Sequence, residues 1–324
     1  TGSGNKDIDF GGKRIYLKGV NTAGAQPAID CEGSGRAFYF HSGESKESVV
    51  DNFTIKNGSA DNGGAIWCGN SSSPTIKNCT FNENSANGYG GVIYCGSSAP
   101  TLTNCTFCNN SADYGGAIAC YSSSSMALIN CAFTGNNANS DGGAIFCGGS
   151  NPTLTNCIFC NNSASNYGGA IYCNLSSPNI TNCTFSDNDA DYGGAICCST
   201  NSNPTLNNSI LWNNSASNGN QIYADSTYGS CTVTLNYCCV DNSSGAYGGS
   251  GTIDDSNNCT DDDPEFVDAA GGDYHLKSTS PCIDAGNNDY ISGVDKDLDG
   301  NERVVDGDND ATATVDIGAY EYQP

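Results

Sequence analysis

An Asn-Cys pair recurs at 78, 104, 130, 156 and 182, a period of 26 residues without slippage, and Asn208-Ser209 extends the series. Gly-Gly-Ala-Ile or a close variant begins at 63, 90, 115, 142, 168 and 193. Between these markers one unit reads Pro-Thr-Leu-Thr-Asn-Cys-Thr-Phe-x-x-Asn-x-Ala-x-x-Tyr-Gly-Gly-Ala-Ile-Tyr-Cys. Self-similarity at such a period means stacked units that share one continuous core. Short alternating apolar segments broken by Gly, Asn, Ser and Pro predict strands and turns, and no stretch has helical periodicity.

About three short strands in a unit that must return directly above its predecessor describe one coil of a parallel β-helix. The fold class is therefore all-β, a single-stranded parallel β-helix (solenoid), right-handed because parallel crossovers almost always are. Weaker coils around Ile15, Ile29, Phe38, Ile222 and Leu235 bring the expectation to about nine coils and a rod about 40 Å long. We divide the chain at 255: a solenoid over 1–255 and an irregular, capping C-terminal segment over 256–324.

Alternation assigns Leu102, Cys105, Phe107, Ala112, Ile118 and Cys120 to the interior. Thr101, Thr103, Thr106 and the variable set Trp67, Tyr94, Ala119, Phe146 and Tyr172 fall outside. Asn78, Asn104, Asn130, Asn156, Asn182 and Asn208 interrupt the alternation and mark a bend, where Asn tolerates left-handed backbone angles and its amide can ladder between coils. A second structural Asn column runs through Asn84, Asn110, Asn136, Asn162, Asn188 and Asn214.

Twelve of the 20 cysteines form two columns, Cys79, Cys105, Cys131, Cys157, Cys183 and Cys238, and Cys68, Cys95, Cys120, Cys147, Cys173 and Cys198. Column neighbours have parallel Cβ vectors, which disfavours disulfides, so buried thiols acting as small hydrophobes are expected, in preference to a wire of metal ions. Cys108 and Cys160 point outward two coils apart, too far to join; Cys259 and Cys282, in irregular chain, are the expected bridge.

The formal charge is −24, from 35 acidic against 11 basic residues, which argues against nucleic acid or an anionic membrane as partner. No Lys or Arg lies between Lys77 and Lys277, and the only histidines are His41 and His275. The middle of the chain thus lacks the bases that much catalysis requires. No apolar run approaches the roughly 20 residues of a membrane span, and Thr1 to Lys6 lacks signal-peptide character, so the chain is read as already processed. Sequons at Asn52, Asn57, Asn109, Asn161 and Asn213, with the cysteine content, favour a secreted, extracellular or cell-surface address and admit glycosylation.

Phe-x-x-Asn, from Phe81–Asn84 to Phe185–Asn188, paired five times with Gly-Gly-Ala-Ile, resembles the repeat of the chlamydial polymorphic outer-membrane proteins over about residues 50–223. That resemblance implies a secreted β-helix surface protein or adhesin, without the family's membrane barrel. The segment from Asp273 to Gly286, with Asp297–Arg303 and Asp316–Tyr322, resembles the tail of bacterial β-helix surface proteins that carry interchangeable sorting signals. Such proteins are exported and displayed.

Polysaccharide lyases and polygalacturonases share the fold. Their pattern of a Lys or Arg base beside calcium-binding carboxylates, and the Gly-His-Gly and Arg-Ile-Lys motifs, do not occur in this sequence. No catalytic residue is assigned, and a polysaccharide-binding or -degrading protein is the alternative. Thr101/Thr103 and Thr153/Thr155 raise a third reading, an ice-binding solenoid, weakened by Ala127, Ile129 and Asn179.

Asp295, Asp297, Asp299 and Gly300, ending at Asp306, have the spacing of a calcium loop, with Asp for Glu at the last position and Arg303 at position 9. Calcium is the one cofactor expected. The N-terminal end enters strand pattern without a capping helix, which leads to head-to-tail self-association as a filament, the last coil near Thr252–Ile253 or Val315–Tyr322 meeting Lys6, Lys13, Arg14 and Lys18 of the next copy, with Asp306, Asp308 and Asp310 as the acidic side. Self and cell-surface glycans are thus the expected partners.

Overall fold

The computed structural model describes residues 5–22, 24–291 and 293–324. The repeats wind into a parallel solenoid of about nine coils with four faces. The first face stacks ten strands, Tyr16–Lys18 through Thr75–Lys77 and Thr101–Thr103 to Thr252–Asn257. The second runs from Ala28–Asp30 to Cys239–Val240, the third from Ser59–Ala60 to Ser215–Asn218, and the fourth from Phe38–Phe40 to Tyr247–Gly249. The four-strand coil corrects the expected three. Third-face strands such as Ser85–Ala86 are two residues long, too short for alternation to show.

Each corner has its own chemistry. Between the first and second faces, Asn78, Asn104, Asn130, Asn156, Asn182 and Asn208 all adopt φ between 46° and 53°, a region Asn enters more readily than other side-chain residues. Between the second and third faces, Asn84, Asn110, Asn136, Asn162, Asn188 and Asn214 turn inward and are buried. There the side-chain oxygen of Asn136 accepts from the main-chain N–H and Nδ2 of Asn110 at 3.1 and 2.9 Å, and each neighbouring pair repeats the pattern. At the Gly-Gly corner, Gly115 takes φ +66°, and a Cβ on Gly116 would lie 2.1 Å from the Gly143 carbonyl oxygen, so the second glycine is required by close approach of the next coil.

Inside, Phe81, Phe107, Phe133, Phe159 and Phe185 stack with centroids 5.0, 4.5, 4.7 and 4.7 Å apart. Leu102, Cys105, Phe107, Ala112, Ile118 and Cys120 are buried, as alternation assigned them. At the first end Phe10 lies edge-on over Phe38 and Phe40 and is buried, so a single side chain covers part of the core.

The cysteine columns are buried, and Cys105 Sγ donates to the Thr103 and Ile76 carbonyls at 3.4 and 3.7 Å. Burial pushes the Cys79 thiol up to about 12, so these side chains stay protonated and apolar in behaviour. Two expectations are corrected. Cys198 is not a column thiol: it forms a disulfide with Cys231, which turns inward just before the next first-face strand. Cys259 does not pair with Cys282: its thiol donates to Leu235 O at 3.6 Å in the last coil, whereas Cys282 is buried with Cys239 in a different cluster.

That cluster belongs to the C-terminal segment, which lies along the flank of the solenoid. Its hairpin, Phe266–Asp268 against Asp273–Leu276, brings Phe266, Tyr274 and Leu276 onto Ile158, Cys160 and Ile210, with Ile317 and Ala319 beside them. Outward-facing Ile158 and Ile210 are therefore covered by the chain's own tail. Polar contacts fix the register: Gly318 N donates to Asn208 O at 2.9 Å, Ala319 N to Thr184 Oγ1 at 3.1 Å, and Asn156 Nδ2 to Lys296 O at 2.6 Å.

Candidate functional site: an aromatic strip along the fourth face

Residues before and within each fourth-face strand project outward in two neighbouring columns. One is Tyr39, Trp67, Tyr94, Ala119, Phe146, Tyr172, Cys197 and Tyr223, paired strand by strand. The other, at the Gly-Gly corner, is Tyr89, Tyr114, Asp141, Tyr167 and Tyr192. Ala119 leaves room that Tyr121 fills from two residues on: its ring lies 6.1 Å from Tyr94 and 5.3 Å from Phe146. Past Cys197, Tyr192 bridges Tyr167 and Tyr223 at 5.1 and 5.0 Å. Successive ring contacts thus run unbroken from His41 and Tyr39 to Tyr223. Eight coil levels correspond to a strip about 34 Å long at one strand spacing per level.

The outward set behaves differently from its sequence expectation. Ala119, Phe146, Tyr172 and Cys197 point away from the core yet are buried, because the corner tyrosines lean over them. The strip is a second apolar layer outside the main core. Its rim is hydroxyl-bearing: Tyr172 Oη lies 2.9 Å from Ser199 Oγ and 3.4 Å from Asn174 Nδ2. Burial raises the Tyr121 and Tyr172 phenols, so these two remain neutral at ordinary pH.

Asp141 occupies a tyrosine position in the corner column, and burial raises its carboxyl above the usual range. Asp225 borders the strip beside Tyr223. The two are three coil levels apart, at least about 14 Å by strand spacing, beyond the roughly 6.5–9.5 Å of an inverting glycosidase pair. A second cleft lies where the tail meets the second face, lined by Trp212, Asp263, Glu265 and Lys277 among others. The tail thus brings Lys277 to a stretch of coils that, from Asn78 onward, has no Lys or Arg of its own.

The structure does not draw the expected calcium ligands together. Asp297 is buried and its oxygens accept from the main-chain N–H of Asp299, Asn301 and Glu321 at 3.0, 2.8 and 3.1 Å. Asp299 turns to His275 Nε2 at 2.8 Å, and Asp295 accepts the Arg303 N–H through its carbonyl. Arg303, at position 9, is fully buried; it donates to Gly318 O, with Glu321 at 3.9 Å and Asp316 and Asp297 also near. With the Asn182 oxygen facing the guanidinium, it accepts from Nε and Nη2 at 3.0 and 3.2 Å. A side-chain cation therefore holds the centre of this acidic loop. Of the four residues only Asp306 joins a convergent cluster, with Asp284 and Asp308. Those oxygens also accept main-chain N–H groups, Asp284 Oδ2 from Gly307 and Asp308, and Asp306 from Asp310 and Ala311.

The threonine array is also placed. Thr101/Thr103 and Thr153/Thr155 lie on the first face, separated by Ala127 and Ile129, and farther along Thr181 and Asn207 are buried. No helix among the described residues is long and apolar enough to cross a membrane.

A family model described as a right handed beta helix region matches residues 28–157 and, in a second overlapping placement, residues 90–266. No curated protein matches the chain.

Proposed function

The chain belongs to the right-handed β-helix family, and from that premise we propose that it is a secreted, non-catalytic adhesive rod whose aromatic strip contacts extended, neutral polysaccharide at a cell surface. The strip carries the reading: a row of ring contacts in which Trp67, Tyr94, Tyr121, Tyr167 and Tyr223 are partly exposed over buried Phe146 and Tyr172, along the long axis of a rigid scaffold, suits a polymer that offers C–H faces and hydroxyls in repeat. The chain's charge of −24 selects against anionic polymers. The test is affinity electrophoresis through neutral and uronic-acid polysaccharides. Retardation by a neutral glycan, reduced about tenfold by Trp67→Ala with Tyr94→Ala, is expected, the loss being about 1.4 kcal/mol. Equal mobility of both proteins in every gel would refute the reading. Depolymerisation of any of these glycans, abolished by Glu265→Gln or Asp263→Asn, would establish the enzymatic alternative at the tail cleft. Thermal hysteresis of a dilute solution would establish the ice-binding one.

A second reading, head-to-tail assembly, is favoured by the ends. Among the described residues, Tyr16–Lys18 and Thr252–Asn257 are the outermost strands of the same first face, each paired along one edge only. Stacking copies would continue that sheet, with Lys18 approaching Asp254 and Asp255. Val315–Tyr322 is engaged on its own flank and does not supply this contact. Negative-stain microscopy at high protein concentration is expected to show rods several subunits long; only single short rods would exclude it.

A further inference from the structure

The tail is held on the solenoid by apolar packing and hydrogen bonds, and among the described residues no ion pair joins it to the coils. One pair of side chains at this junction has further chemistry. Cys239 opens the last second-face strand, at the end of an outward column that includes Thr184 and Ile210. It is fully buried beneath the tail, its Sγ donating to Asp262 O at 3.2 Å. Cys282 comes from the other side. It is equally buried, its position fixed by the Ser280 hydroxyl on its N–H at 3.1 Å and by Ile317 N on its carbonyl at 3.0 Å. Both thiols lie in one packed cluster and are tied to the same stretch of tail, Cys239 to Asp262 O and Cys282 through Ser280, whose hydroxyl donates to Pro264 O at 2.7 Å; Cys282 is also the foremost influence pushing the Cys239 thiol up.

We propose that Cys239 and Cys282 are a redox latch: in an oxidising compartment they form a disulfide that fastens the C-terminal segment to the last coil. The reaction consumes a small-molecule disulfide. A thiolate of the pair attacks it to form a mixed disulfide with release of one thiol. The second cysteine then displaces the other thiol, so two protein thiols are oxidised while one external disulfide is reduced to two thiols. Because both sulfurs are shielded in the folded protein, the exchange belongs to folding, before the tail closes over Cys239. The contact joins residues 43 positions apart, a loop long enough that closing it constrains the unfolded chain substantially. Cys259, half-buried with Cys238 in the end coil, is outside this cluster and does not compete for Cys282.

The test refolds the full chain from reducing denaturant in a mixture of oxidised and reduced glutathione, alkylates remaining thiols, and maps the digest by mass spectrometry. A Cys239–Cys282 cross-linked peptide is expected, together with Cys198–Cys231. A Cys282–Cys259 peptide, or complete alkylation of Cys282, would overturn the proposal. Limited proteolysis supplies an independent readout: Cys239→Ser with Cys282→Ser should release the tail at least tenfold faster than wild type, with the coils unaffected by circular dichroism. Unchanged release would equally refute the latch. Neither outcome depends on glycan binding.

Discussion

Truncating one rung of the inner asparagine ladder tests whether buried amides or left-handed corners hold the coils in register. In Asn136→Ala, the main-chain N–H of Asn110 loses its acceptor and Asn110 Nδ2 keeps only its bond to Phe81 O at 3.2 Å. The Phe107 carbonyl loses the Nδ2 donor at 3.0 Å, while Asn162 Oδ1 keeps the Asn136 N–H. Two to three buried groups are orphaned at about 1–3 kcal/mol each, so a loss of about 3–6 kcal/mol is expected. Asn104→Ala is the contrast. It removes one exposed bond, Asn104 Nδ2 to Asn78 Oδ1 at 3.2 Å, and leaves alanine at φ 53°, a cost of about 1–2 kcal/mol. Asn104→Gly should be milder still, since glycine accepts that angle freely. Urea titration followed by circular dichroism measures the ranking, and hydrogen exchange at the Asn110 N–H localises the damage, because repeat proteins can lose neighbouring units in blocks. Equal losses for Asn136→Ala and Asn104→Ala, or unchanged protection of Asn110, would refute the argument.

Tail docking should weaken as pH rises. Burial lowers the His275 pKa, but hydrogen bonds to Asp273 and Asp299 outweigh it and hold the imidazole above its ordinary value, so its contribution is full below about 6.5 and lost as pH rises through the folded pKa. Burial also raises Asp316 to about 6 and Glu321 to about 9, and both, more easily protonated in the fold than outside it, lose stability in the same direction. Trp212 fluorescence beneath the tail should report undocking toward alkaline pH, with His275→Gln removing the imidazole's share of the loss above about 6.5 and leaving that of Glu321; increasing docking with pH would contradict it. Arg303→Met leaves Glu321 and Asp316 without their buried cation and is expected to cost about 3–5 kcal/mol, read as tail melting in a calorimetric scan. Asp297→Asn, which weakens the acceptor of three main-chain N–H groups, should destabilise the tail equally with or without added calcium; calorimetric binding heat on calcium titration that this substitution abolishes would instead restore the calcium loop at Asp295, Asp297, Asp299 and Asp306.

The solenoid was legible because its markers are forced residues: Asn at a left-handed corner, Gly where another coil touches, Phe in a stack. The third face was not, since Ser85–Ala86 has no room for a pattern. The aromatic strip hid for a different reason. Tyr89, Tyr114, Tyr167 and Tyr192 adjoin the glycine pairs and read as part of a turn, and Ala119 and Cys197 break the outward column. Only the register between coils shows that Tyr121 and Tyr192 close those gaps. The calcium spacing misled because an Asp-rich loop can equally fold around its own main-chain N–H groups and an arginine, which is how Asp297 and Arg303 are used. Disulfide partners lay beyond reach: Cys198 follows Cys173 at the ordinary spacing of its column, and nothing local announced that Cys231 would turn inward to meet it.

The inner ladder also has a direction. Along the row from Asn84 to Asn188 every side-chain oxygen accepts from the coil before, and every Nδ2 gives one hydrogen to the asparagine oxygen of the coil that follows and the other to a main-chain carbonyl of the coil before. The row begins at the Gly58 N–H and ends where Asn214 Nδ2 meets Gln221 Oε1 at 2.7 Å. Six buried carboxamide oxygens therefore face one way along the row, each amide polarising the next, so a rung is stronger in the middle of the row than at its ends. The rod is electrically vectorial even where its surface charge is uniform. A reversed or missing rung would be felt by amides several coils away, whereas inserting a whole 26-residue unit would lengthen the row without disturbing its sense.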